Sequence, residues 1–345
     1  MIRFNNDYSA GAHPAVMEKL LKINSGRYPG YGEDPLSYEA ADLIRKACAA
    51  PDADVHFLTG GTQANALMVT TALRPWQSAV CADSGHINAH EAGSVEHGGH
   101  RITALPSKDG KITAAQVEET ALGFENNLFR DHVTEPKMVY ISSPNELGCL
   151  YSRLELSDLS RVCREHGLYL FLDGARLAYG LGASDCDFTL ADIAALTDVF
   201  YIGGTKCGTL FGEALVITND ELKYGFRNAM KQFGAMLAKG WLIGTQFGAL
   251  FEGGVYEELG READRKADRI RAEFAALGIT PCAPGNTNQI FYYLDSRLAD
   301  ALSDRFVLEI MEKTADGKVM ARICTSWYTS DEDVDALIAA VRNYS

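Results

Sequence analysis

None of the eight cysteines forms a CxxC pair, no apolar run is long enough to span a membrane, and the fingerprints GxGxxG, GxxxxGK[ST] and HExxH are all missing. Scattered single cysteines read as reduced, mostly buried thiols of a cytoplasmic protein. A spanning helix needs about 20 apolar residues, so no membrane segment is expected. The start, MIRFNNDYSAGAHP, lacks the basic-then-apolar pattern of a signal peptide. Without the glycine fingerprint, a dinucleotide-dependent oxidoreductase is a poor reading. Positive charge is also short: 32 Lys and Arg stand against 46 Asp and Glu, a net charge of −14. That balance opposes nucleic acid and anionic membranes as partners. It leaves room for a small anionic ligand in a locally basic pocket.

What is present is an ordinary globular composition, 47% hydrophobic and 23% charged, over 345 residues, enough for more than one domain. Short apolar runs at 55–58, 78–82, 101–105, 137–142, 169–172, 199–202 and 214–218 alternate with helix-like stretches. Several runs are continuous rather than alternating, as in strands of a mostly parallel sheet buried on both faces. The stretch 157–167 reads as one crossover helix, with Ser157 as N-cap and Gly167 closing it. Beyond it, 261–278 reads as an amphipathic helix, followed by strands at 289–294 and 319–325 and a last helix. The expected organisation is a large α/β domain over 16–250 and a smaller α+β domain from 1–15 and 251–345.

Chemistry concentrates in a few segments. Lys206 follows the run VFYI in VFYIGGTKCG, and Asp173 ends the run in YLFLDGAR. A lysine beyond one buried strand and an acid at the end of another suit a pyridoxal phosphate (PLP) enzyme. The amine forms a Schiff base with the cofactor aldehyde, and the carboxylate keeps the pyridine nitrogen protonated so that the ring accepts electrons. FLTGGTQANAL places Gly60, Gly61 and Thr62 between a strand and a helix start, either a phosphate cradle or an ordinary turn capped by Thr62. His86 and His90 lie one helical turn apart, with a third ligand for a metal missing; an imidazole there can instead stack on a pyridine ring. Arg176 is either a structural partner of Asp173 or free to face a ligand anion. Arg322, in ARICTSW, is either an exposed strand arginine or a two-pronged carboxylate clamp.

Taken in order, FNNDYSAGAHPAV, YPGYGEDPLSYEA, LTGGTQAN, DSGHINAHEAG, SSPNELG, LDGARLAYG, the Lys206 segment, AMKQFGAML and ARICTSW resemble the threonine aldolase family of the β-eliminating lyase group. The resemblance implies PLP fold type I, with a seven-stranded large domain, a small C-terminal domain, and active sites at the interface of a homodimer or homotetramer. It implies Lys206 as the Schiff-base lysine, Asp173 as the pyridinium partner, and His86 stacked on the ring. Gly61 and Thr62 would hold the phosphate, with Lys231 reaching a neighbouring subunit's phosphate. Arg176 and Arg322 would grip the substrate carboxylate, with Asn6 and Tyr31 near the substrate. Three departures stand out: Asn6 replaces a serine, Ser143 and Pro144 replace a Thr-His pair, and GGT precedes the lysine. The implied reaction is retro-aldol cleavage of L-threonine or L-allo-threonine to glycine and an aldehyde, with His86, or a water it positions, as the base. The rivals are another PLP reaction, β-elimination or transamination, and a non-catalytic PLP-binding protein.

Overall fold

The structure, a computed structural model, describes residues 1–344. Its first strand, β1 (Ile2–Arg3), pairs far along the chain and belongs to the smaller core described below. The next seven strands, β2 (Asp54–Leu58), β3 (Gln77–Ala82), β4 (Arg101–Leu105), β5 (Glu135–Ser142), β6 (Tyr169–Asp173), β7 (Val199–Gly203) and β8 (Glu213–Ile217), form one sheet. Its order is β2-β8-β7-β6-β5-β3-β4. Strands β3 to β7 pair in parallel, whereas β8 runs antiparallel to both β7 and β2. This is the mostly parallel α/β sheet expected, and every expected run falls on a strand.

Successive residues of a strand point to opposite faces. Val139, Ile141, Leu170, Leu172, Phe200 and Ile202 enter the core on one face. Met138, Tyr140, Phe171, Val199 and Tyr201 enter the core on the other. Two apolar environments explain why the runs were continuous, and each buried side chain of this kind contributes about 1.5–3 kcal/mol.

Helices close both faces. Arg153–Glu165 lays Leu156, Leu159 and Val162 on the first. It begins earlier than expected: Ser152, not Ser157, is the N-cap, in a capping box with Glu155. Gly167 lies just past its end at φ +62°, as expected of a closing glycine. On the other face, Gly61–Ala72 lays down Ala64, Leu67 and Met68.

The smaller core lies beneath β12 (Lys318–Cys324), the middle strand of an antiparallel sheet flanked by β9 (Gln289–Asp295) and β11 (Glu309–Lys313). β1 pairs with β10 (Phe306–Val307), and Phe4 packs there with Ile290, Tyr292 and Ile323. The expected helix over 261–278 spans Val255–Ala276. It gives Tyr256, Leu259 and Ala263 to the large core and Ala267, Ile270 and Phe274 to the small one. The two cores therefore meet within a helix rather than at a linker. No helix among the described residues is long and apolar enough to cross a membrane.

Strand direction sets the functional edge. The ends of β2, β5, β6 and β7 and the start of the reversed β8 lie along one rim of the sheet. In open α/β sheets that rim is where ligands bind.

Candidate active site

Along this rim lies a cavity of about 290 Å³, lined by Thr59, Gly60, Gly61 and Thr62 after β2, Ser142 and Glu146 after β5, Asp173 and Arg176 at β6, Lys206 after β7, and Glu213 opening β8. Ligand cavities run from about 300 to 1,000 Å³, so this one suits a small metabolite rather than a polymer. His86, Tyr201 and Thr205 also line it.

Asp173 is 4% exposed and surrounded by donors. Tyr140 donates its hydroxyl to Oδ2 at 2.5 Å, Asn65 donates to the same oxygen at 3.2 Å, and the Ala175 N–H donates to Oδ1 at 2.9 Å. Burial alone would raise its pKa, but the Tyr140 and Tyr201 hydroxyls, the nearby His86 and the Ala175 N–H outweigh it. The carboxyl is held below its usual range. A buried anion is thus ready for a cationic guest.

Lys206 is also shifted downward, which in an amine favours the neutral form rather than the charged one. Burial and the Arg176 charge press its amine below the ordinary lysine range, against the pull of Asp7, Asp173 and Glu213. Its backbone carbonyl accepts from the Tyr179 hydroxyl at 2.6 Å, which fixes the loop. Its amine has no hydrogen bond or ion pair among the described residues. A depressed, unpaired amine is the form that attacks an aldehyde.

Gly60 caps the helix Gly61–Ala72 without a side-chain hydrogen bond. Thr62 is therefore not the N-cap but lies in the first turn, and the free N–H groups of that turn serve an anion. A larger residue at Gly61 would displace the buried Tyr201 ring, since a Cβ there would stand 2.7 Å from its hydroxyl oxygen. Anion cradle, free amine and buried carboxylate match the phosphate, aldehyde and ring nitrogen of PLP, so the residues present fit that cofactor.

His86 Nδ1 lies 2.7 Å from Glu91 Oε1. Burial opposes protonation, yet the Glu91 hydrogen bond and the Asp173 charge raise its pKa. Asn65 joins the two acids, donating to Glu91 at 2.7 Å as well as to Asp173. The His90 ring lies 5.7 Å from His86. No group of three or more His, Cys, Asp or Glu side chains among the described residues is placed to hold a metal ion.

Arg176 is not the structural partner of Asp173. It donates Nε and Nη2 to Asp7 at 2.7 and 3.2 Å, not to Asp173, and still lines the cavity. Arg322 donates Nη2 to the Asn5 carbonyl at 2.8 Å and Nη1 to Gln289 at 3.3 Å, with a buried, unpartnered Nε. Asn6 turns its side-chain oxygen into its own loop, accepting from the Tyr8 N–H and the Ser9 hydroxyl. Neither Arg322 nor Asn6 lines the cavity.

Tyr31 and Lys231 are not at this cavity. They are exposed on another part of the surface, where the Lys231 ammonium sits 4.7 Å from the Tyr31 ring centroid. Among the described residues neither makes a hydrogen bond or ion pair with a residue that lines the cavity.

Sequence reasoning left Glu213, Glu146, Tyr140 and Asn65 without roles. Glu213 is 4% exposed and accepts from the Gly204 N–H at 2.9 Å. A charge opening an otherwise apolar run was the available signal. Tyr140 read as one more apolar strand residue, and its hydroxyl only matters because β5 lies beside β6.

A parallel sheet with a lysine and an ionised acid at its ligand rim is the arrangement of PLP-dependent enzymes of fold type I. Aspartate aminotransferase from Thermus thermophilus shares the fold alone, with a TM-score of 0.72, 16% identity, and coverage of 100% of this chain and 92% of that one. Threonine aldolase from Leishmania major matches with a TM-score of 0.97 and 42% identity, covering 100% of this chain and 99% of that one. A low specificity L-threonine aldolase of Pseudomonas is 29% identical, over 99% of this chain and 97% of the relative. The family model for β-eliminating lyases matches residues 4–297. The chain belongs to that family, within its threonine aldolases, and is a PLP-dependent lyase.

Proposed function

We propose that the protein binds PLP in this cavity and cleaves L-threonine, L-allo-threonine and similar β-hydroxy-α-amino acids to glycine and an aldehyde. One observation carries the reading: the unpaired, depressed Lys206 amine shares a small cavity with the ionised Asp173. The relatives' names supply the substrate class. Bound PLP supplies an electron sink for the breaking bond. The chain's own groups do the rest. Lys206 would hold the cofactor's aldehyde carbon, Asp173 would keep a proton on the ring nitrogen, and His86 would face the ring. Gly61 and Thr62 hold the phosphate. Arg176 and Arg322 hold the substrate carboxylate, with Asn6 near the substrate, which fixes the bond to be broken. Because Tyr31 and Lys231 lie outside their own chain's cavity, we assign them to the cavity of a second subunit in a homodimer or homotetramer.

The test is product analysis with PLP-loaded protein and each threonine diastereomer. Equimolar glycine and acetaldehyde are expected. 2-Oxobutyrate with ammonia, and no glycine, would replace this reading with elimination.

A further inference from the structure

Retro-aldol cleavage requires a group that takes the proton of the substrate's β-hydroxyl. Three carboxyl groups line the cavity: Asp173, Glu213 and Glu146. Asp173 has both oxygens hydrogen-bonded and is committed to a cationic partner. Glu213 is held by the Gly204 N–H and the Thr205 hydroxyl, beside the phosphate cradle, since it pairs across the sheet with Leu58. His86 has Nδ1 engaged by Glu91, and the proposed function gives its ring to the cofactor face.

Glu146 differs from all of these. Its Oε1 accepts from the His86 backbone N–H at 2.8 Å and from the Ser142 hydroxyl at 3.0 Å. Among the described residues no other residue donates a hydrogen bond to its Oε2, which is not among the enclosed unpartnered atoms, and the residue lines the cavity. One oxygen anchors the group to the wall that carries His86, and the other is free to accept.

Resting on the aldolase reading, we propose that Glu146 is the catalytic base that takes the β-hydroxyl proton. As it does so, the oxygen's electron pair becomes the second C–O bond of the aldehyde. The Cα–Cβ bond breaks, its electron pair remains with Cα, and a proton delivered to Cα completes glycine. Glu146 then returns its proton to solvent, so protons balance without an oxidant or further reactant. Burial raises the Glu146 pKa, with its own N–H opposing and the Asp173 charge adding to the rise. A carboxylate with a raised pKa is a stronger base, as general base catalysis near neutrality requires. The other groups facing it are His86, which lowers its pKa, and the neutral Tyr140, Tyr151 and Cys81.

The experiment compares wild type, Glu146→Gln and Glu146→Asp in the PLP-loaded protein. Glu146→Gln should lower kcat for threonine cleavage on the order of 10²–10³-fold. Two readouts need no hydroxyl base and should stay within about twofold: deuterium exchange at the glycine α-carbon, and the glycine dissociation constant read from cofactor absorbance. Glu146→Asp should recover part of the cleavage, and the acid limb of the kcat/KM profile should vanish in Glu146→Gln. Wild-type cleavage by Glu146→Gln would overturn the proposal. So would equal loss of exchange and cleavage in both variants, which marks a structural role. A wild type that exchanges glycine but releases no aldehyde would overturn the aldolase reading instead.

Discussion

Asp173 and Glu213 line the same cavity and are equally buried, each 4% exposed, yet their protons behave oppositely. Burial raises the pKa of both. At Asp173 the hydroxyls of Tyr140 and Tyr201, the nearby His86 and the Ala175 N–H overcome it, and the acid stays ionised. At Glu213 the Thr205 hydroxyl, the Gly204 N–H and the Lys206 charge do not, and the pKa rises to about 7. Depth in the protein does not set the charge of a buried acid; the strength of the donors aimed at it does. The ionised acid sits where a cationic ring nitrogen would come, and the near-neutral one sits where a phosphate would come.

Breaking the comparison at Asp173 should have the largest effect. Asp173→Asn keeps the shape and removes the charge. It should lower kcat/KM for threonine on the order of 10²–10³-fold in steady-state assays. At Glu213 the effect is on stability. An unfolded glutamate loses its proton near pH 4.5, whereas the folded one keeps it to about 7. Between those values the folded state binds more protons, so stability falls as pH rises and does not recover above 7. Glu213→Gln should remove this slope, leaving the PLP-free variant roughly 3 kcal/mol more stable at pH 8 and nearly unchanged at pH 4. Urea denaturation at both pH values measures it. Smallest is Tyr140→Phe, which deletes one donor to Asp173 and should lower kcat/KM about tenfold. The pKa governing its cofactor absorbance should shift too, which a purely structural defect would not cause.

The same physics explains what was legible in the sequence. Strands β5 to β8 are buried on both faces, so their apolar runs announce them. β11, by contrast, is exposed along its whole length, EIMEK, and carries no such signal. Ser157 read as the cap of the helix that Ser152 in fact opens, and the reciprocal pair of Ser152 with Glu155 was the overlooked signal. Lys206, Asp173, Gly61, Thr62 and Arg176 were legible as a group because each ends or follows a strand on one rim. The Asp7 partner of Arg176 was not, since 169 residues separate them and only the fold brings them together. Glu213 was read as lying outside the apolar run that it opens.

The most direct test of the account is to locate the cofactor's covalent attachment. PLP-loaded protein is reduced with borohydride, digested, and mapped by mass spectrometry. The account predicts one pyridoxyl adduct, on Lys206, and none at that position after Lys206→Ala. An adduct on another lysine such as Lys231, or no adduct while the protein still binds PLP, would contradict it.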